Sequence, residues 1–230
     1  MAPAKQAEER REDGRLVQEI RPLSCEQGLL NRADGSARFS HGSTSVVASV
    51  NGPAAAKNRR QEKVDAATLE VVFKSDKGAP TARDKEYEVI LRQTFETVVY
   101  LENFPRAVIS LTVQVVEDDG SLLAVAINAV NLALLDAGIP MRSLVGAITC
   151  SILDDGQLCL DPSLTEGDAA TASVTAACAG KNDGILTSLT TGLLNESQYF
   201  ASSEICRRAI DSVLSFVRIA QESKFQKAAA

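Results

Sequence analysis

The sequence predicts an α+β protein made of two βα halves. Three observations carry that expectation. Runs rich in β-branched residues recur at 44–50, 68–73 and 107–116. A 3.6-residue apolar period marks helices at about 84–101 and 122–136. The second half then repeats the theme of strands followed by a helix. The composition suits such a fold: of 230 residues, 45% are hydrophobic and 23% charged. No uninterrupted apolar run approaches the ~18 residues of a membrane span, so no membrane association is expected.

The elements follow in order. Residues 44–50 (TSVVASV) read as a strand closed by the turn signal Asn51-Gly52-Pro53. Residues 68–73 (TLEVVF) form a second. The helix at 84–101 places Tyr87, Ile90, Leu91, Phe95, Val98 and Val99 on one face. Residues 107–116 (AVISLTVQVV) are a third strand. Asp118-Asp119-Gly120-Ser121 leads into the helix at 122–136, with Ser121 as N-cap and with Gly138 and Pro140 as stop signals. That helix is apolar on nearly every side, so deep burial is expected. Strands are read at 144–153, 172–178 and 184–189. A closing helix at 204–221 is capped by Ser202 or Ser203 and turns Ile205, Ala209, Val213, Phe216 and Val217 inward. Residues 1–14 and 223–230 read as tails around a single body, 15–222. The first fifteen residues mix basic and acidic side chains with no apolar core, unlike a signal peptide.

The net charge of −6 and an aromatic content of 4%, with no Trp, argue against global attraction to nucleic acid and against base-stacking platforms. Any RNA contact must be local. Lys57, Arg59, Arg60 and Lys63 crowd one loop, Arg83 and Lys85 follow another, and Arg92 lies on the helix after it. Such a cluster suits phosphates, and equally suits a solvated loop.

Residues 143–180 contain no Lys or Arg, yet Asp154, Asp155, Asp161, Glu166 and Asp168 fall within them. Mutual repulsion among these carboxylates is relieved by solvent, protonation or a divalent ion such as Mg²⁺. Asp154-Asp155-Gly156 is equally a hairpin turn, and Asp161 before Pro162 a turn former. His41, the only histidine, has no assignable triad partners. Five cysteines, at 25, 150, 159, 178 and 206, lack C-x-x-C spacing and read as buried, reduced thiols of an intracellular protein. Neither a P-loop nor a G-x-G-x-x-G motif is present.

Residues 31–53 (NRADGSARFSHGSTSVVASVNGP) are similar to the opening block of the RNase PH family. Pro105-Arg106, the strand after it, Asp119-Gly120-Ser121 and residues 126–141 resemble its central block, and Leu160-Asp161-Pro162 begins a third. The resemblance spans about residues 15–216. Cys25-Glu26-Gln27 together with Gly120-Ser121-Leu122-Leu123-Ala124 is most similar to a ring subunit of the eukaryotic RNA exosome. It implies an RNase PH-like fold, a duplicated βα unit of the kind in ribosomal protein S5 domain 2. It also implies rings of six such domains with cap subunits, RNA as ligand, and a place in nucleus, nucleolus and cytoplasm.

Phosphorolytic members of the family carry Gly-Gly-Thr-Arg-Thr-Ala at the phosphate site, where a helix N-terminus and a guanidinium grip the anion. Here the stretch keeps Ser121 but has Leu122 in place of the Arg. The family's Ala-Asp-x-Asp pair falls on Ala170-Thr171-Ala172-Ser173, so both acids become hydroxyls. The resemblance leaves Arg92 and Ser121 as the remnant of the phosphate site and puts the loop bearing Arg59 and Arg60 on the RNA path. The expected function is an RNA-binding, non-phosphorolytic exosome ring subunit. Two alternatives stay open. One is a stand-alone homodimeric, Mg²⁺-dependent nuclease using Asp154, Asp155, Asp161 and Asp168. The other is residual phosphorolysis through Ser121 and Arg92.

Overall fold

The computed structural model describes residues 11, 13–56, 62–76, 78–180 and 184–229. The first half is a five-stranded sheet, β1 (Leu23–Gln27), β2 (Gly35–His41), β3 (Thr44–Ala55), β4 (Thr68–Lys74) and β5 (Ala107–Glu117), in the order β1-β2-β3-β5-β4. Neighbours are antiparallel except β4, which runs parallel to β5. The crossover between them is α1 (Ala82–Val98). A capping box starts α1: Asp84 donates its N–H to Thr81 Oγ1 at 3.3 Å, and Thr81 N–H donates to Asp84 Oδ2 at 2.7 Å.

The second half is a four-stranded antiparallel sheet, β6 (Val145–Ile152), β7 (Leu158–Leu160), β8 (Ala172–Ala179) and β9 (Ile185–Gly192), in the order β7-β6-β8-β9. Between the halves runs α2 (Leu122–Asp136), packed on β2 and β3 on one side and on β6 on the other. Every residue from Leu123 to Leu134 is buried, as the all-round apolar pattern requires. A Schellman motif ends it: Ile139 N–H donates to Leu134 O and Gly138 N–H to Leu135 O, both at 3.2 Å, with Gly138 at φ 68°. Gly35 allows β2 its close approach, since a Cβ there would sit 2.4 Å from Ala137 N.

A short helix, α3 (Leu164–Ala169), precedes β8, and α4 (Glu196–Ala229) covers the outer face of β6 and β8. The central strands β6 and β8 are therefore buried on both faces, and β6 is apolar or small throughout rather than alternating. Ile148, Cys150, Ala176, Cys178, Cys206, Ile210 and Leu214 form the smaller core under α4, separate from the main core around α2. All five cysteines are free thiols, four of them buried, with Cys25 half-buried.

Several expectations are corrected. β1, β2, β7 and α3 were not anticipated. β3 does not close at Asn51-Gly52-Pro53; it continues through a register shift to Ala55. The closing helix starts at Glu196 and runs to Ala229, longer at both ends than its apolar period. Ser202 and Ser203 do not cap it: their hydroxyls donate back to Gln198 O and Tyr199 O inside the helix. Lys224, expected in a tail, pairs with Asp136. Ser121 is no ordinary N-cap either. It is left-handed, at φ 56°, and its hydroxyl donates to Pro162 O at 3.2 Å.

Candidate functional site

The first turn of α2 opens into a cleft of about 320 Å³ between the halves. One wall is Gly120, Ser121, Leu122 and Leu123. The facing wall is Pro162, Ser163, Leu164, Gly167 and Asp168. Sheet two supplies the floor with Thr149, Ser173, Thr175 and Thr191, and α1 supplies Arg83, Glu86 and Tyr87 at one side. The walls touch. Gly120 adopts φ 85°, and a Cβ there would meet Pro162 O at 2.6 Å, so only glycine fits.

The floor is neutral and its hydroxyls pair with one another. Ser173 Oγ lies 2.6 Å from Thr191 Oγ1, and Thr149 Oγ1 lies 2.9 Å from Thr175 Oγ1. Arg83 is the cation among the lining residues. Its Nε donates to the Tyr87 hydroxyl at 2.7 Å, and its guanidinium stands 5.4 Å from the centre of that ring. Burial pushes the Tyr87 phenol above its ordinary value, and the Arg83 charge partly offsets this. Asp168 and Glu86 are exposed at the rim. The lining can exchange hydrogen bonds and meet a phosphate with one guanidinium. It presents no group on the floor able to take or give a proton near neutral pH.

The acidic side chains expected to act together do not converge. Asp161 is fully buried. Burial alone would raise its carboxyl, but the hydrogen bonds and charge of Arg21, with His41 alongside, hold it well below the usual carboxylate range. Asp154 and Asp155 are exposed in the β6–β7 turn, closed by Gly156 N–H donating to Leu153 O at 2.8 Å. Asp154 accepts the Thr171 hydroxyl at 2.5 Å. Glu166 caps α3, accepting Ser163 N–H at 2.9 Å. Among the described residues no three His, Cys, Asp or Glu side chains group as metal ligands. The cations missing from 143–180 come from the N-terminal segment instead: Arg21 pairs with Asp161 at 2.7 Å and Arg11 with Glu166 at 3.5 Å. The divalent ion considered from sequence does not fit this arrangement.

His41 is buried and committed. Asn128 Oδ1 accepts Ala147 N–H at 2.9 Å, which turns its amide NH₂ toward Ala147 O at 3.0 Å and His41 Nε2 at 3.4 Å. Nε2 thus faces an amide donor, and Nδ1 lies 3.5 Å from Asp161 Oδ1. Of the basic candidates, Lys57, Arg59 and Arg60 lie outside the described residues. Lys63 is exposed and pairs with Glu96 at 3.7 Å. Arg92 is not among the residues lining the cleft, and its buried Nε has no hydrogen-bond partner. Arg83 shares the lining of the cleft with Ser121, and Arg92 does not. Sequence reasoning missed Arg21, although a base-free acidic stretch in a folded chain signals a cation supplied from elsewhere.

Models of the 3' exoribonuclease family match residues 19–140 as its domain 1 and 143–205 as its domain 2. The boundary falls just past the Schellman end of α2. An exosome complex exonuclease RRP46 homolog of Arabidopsis thaliana is 39% identical over 225 residues, spanning 90% of this chain and 94% of that protein. The crystal structure of rice (Oryza sativa) Rrp46 superposes with a TM-score of 0.88 at 36% identity, over 92% of this chain and all of that one. A chain of the Archaeoglobus fulgidus exosome with RNA bound to the active site shares the fold, with a TM-score of 0.78 at 20% identity over 90% of this chain and 92% of that one. Two matching domain models, a relative aligned nearly end to end and the shared fold place this chain in the 3' exoribonuclease, or RNase PH, family.

Proposed function

We propose that the chain is a ring subunit of an RNA exosome, one that contacts RNA and does not phosphorolyse it. The observation that carries the second clause is the neutral floor: Ser173 is hydrogen-bonded to Thr191, and Leu122 opens α2. The resemblance puts a carboxylate and a guanidinium at those two positions in active enzymes. Likeness to exosome subunits of plants along almost the whole chain supports the first clause. The partners are then other RNase PH-like ring subunits, cap subunits and RNA, with Arg83 and Lys63 as described cations for the backbone. Action in nucleus, nucleolus and cytoplasm follows from that membership. A stand-alone Mg²⁺-dependent nuclease is not favoured, because Asp154, Asp155, Asp161 and Asp168 point to separate partners or to solvent. The test is incubation of end-labelled RNA with the purified chain and inorganic phosphate, beside reconstitution with ring subunits. The proposal expects a stable complex and no nucleoside diphosphates. Phosphate-dependent release of diphosphates by the isolated chain would overturn it.

A further inference from the structure

Arg21 does more than neutralise Asp161. Its side chain is 6% exposed and that of Asp161 0%. Nε donates to Asp161 Oδ2 at 2.9 Å and Nη2 to Oδ1 at 2.7 Å, while the Arg21 backbone N–H donates to Oδ2 at 3.1 Å. The remaining donors turn the other way. Nη1 reaches Asp119 O at 2.8 Å and Nη2 reaches Gly120 O at 3.3 Å. Thr44 ties the same loop, accepting Asp119 N–H at 3.1 Å and donating to Gly120 O at 2.8 Å. One planar fork thus grips the residue before Pro162 on one wall of the cleft and the residues before Ser121 on the other. Both walls are left-handed at that point, with Ser121 at φ 56° and Asp161 at φ 49°. Side chains disfavour that conformation, and it persists only where surroundings over-determine it.

We infer that Arg21 and Asp161 are a positioning pair, a buried latch that fixes the two walls of the cleft against each other and so sets where Ser121 stands relative to the floor. A buried ion pair is a poor device for stability alone, since apolar side chains of similar volume serve as well or better. A fork whose donors divide between two walls is a device for geometry. The consequence for RNA rests on the proposed function; the consequence for the walls does not.

The test is hydrogen exchange, read by mass spectrometry on the full chain, for Asp161→Asn and for Val213→Ala. Val213 is buried in the main core and does not line the cleft, so its variant reports a general loss of stability. The inference expects exchange in segments 118–124 and 160–168 of Asp161→Asn to rise about tenfold more than in β2 and β3, and no such bias in Val213→Ala. Arg21→Lys keeps the charge and loses the fork; it should loosen the same segments and serves if Asp161→Asn does not fold. Loosening no greater in the walls than elsewhere, or the same pattern in Val213→Ala, overturns the latch. RNA crosslinking to reconstituted rings is the second arm. Loosened walls with unchanged crosslinking uphold the latch and count against the RNA reading.

Discussion

Ser173 and Thr191 share a hydrogen bond of 2.6 Å between β8 and β9 on the floor of the cleft. One hydroxyl donates to the other, so the floor carries no charge at that point and keeps one hydroxyl hydrogen free. Leu122, half-buried at the opening of α2, adds a hydrocarbon. Wild-type protein is expected to show no binding of orthophosphate by calorimetry. Leu122→Arg restores a guanidinium at a helix N-terminus and is expected to bring that affinity into the ~1 mM range.

Arg83 lines the cleft with its Nε held by Tyr87, leaving its other N–H groups for a phosphodiester. In reconstituted rings Arg83→Ala should weaken single-stranded RNA binding and reduce the slope of log K against log salt by about 0.7. Tyr87→Phe keeps the ring and loses the acceptor, so it should weaken binding less and leave the slope unchanged. A fluorescence titration over a salt series reads both.

Asn128 serves three partners in the core: Ala147 N–H, Ala147 O and His41 Nε2. Asn128→Leu fills the space and orphans all three. The expected cost is about 3 kcal/mol in urea unfolding, the sum of modest penalties for buried polar groups left unpaired.

The depressed carboxyl of Asp161 makes an acid-side prediction. Its folded-state value lies below the unfolded value of about 3.9, so its contribution is complete above that value and is lost as pH falls through the folded one. Wild-type stability should therefore decline below about pH 4. Asp161→Asn removes this part of the decline and costs about 3 kcal/mol at pH 7, because Arg21 stays buried with only the part-exposed Asp119 carboxylate, 3.5 Å away, as counter-charge. Urea midpoints from about pH 2.5 to about pH 7 supply the comparison.

Gly35→Ala would push a methyl to within 2.4 Å of Ala137 N and 2.5 Å of Ala133 O. Both are backbone atoms of the α2 end, which cannot rotate away. A loss of about 1–3 kcal/mol is expected from forcing β2 off the helix, and thermal unfolding measures it.

The fold was legible where local signals and packing agree. Residues 122–136 carry a full apolar pattern and a Gly138 stop, and α2 occupies that span. β5 and β8 are rich in residues suited to strands and lie within a residue or so of the expected bounds. β2 was missed because its buried residues include Gly35, Ser36 and His41, which carry no strand pattern. Ser163 and Glu166 spell a capping box that announces α3, yet six residues give too short an apolar period to notice. In the site, the Asp-Gly turn was readable from two adjacent residues. Asp161 was not, because the groups that decide its role, Arg21 and His41, lie more than a hundred residues away in the chain. Arg83 and Arg92 share a helix, and only the folded chain shows that Arg83 lines the cleft and Arg92 does not.

Because α2 is greasy around its whole circumference, neither sheet can cover it alone. A rod about 22 Å long stays half naked until both faces arrive. Cutting the chain at the linker near Met141 should therefore yield two fragments that stick to chaperones or precipitate, even though two separate family domains meet there. During synthesis the N-terminal portion must wait, sheltered, for residues still inside the ribosome. A lapse in that shelter would lower the amount of protein in the cell long before it changed anything the finished molecule does.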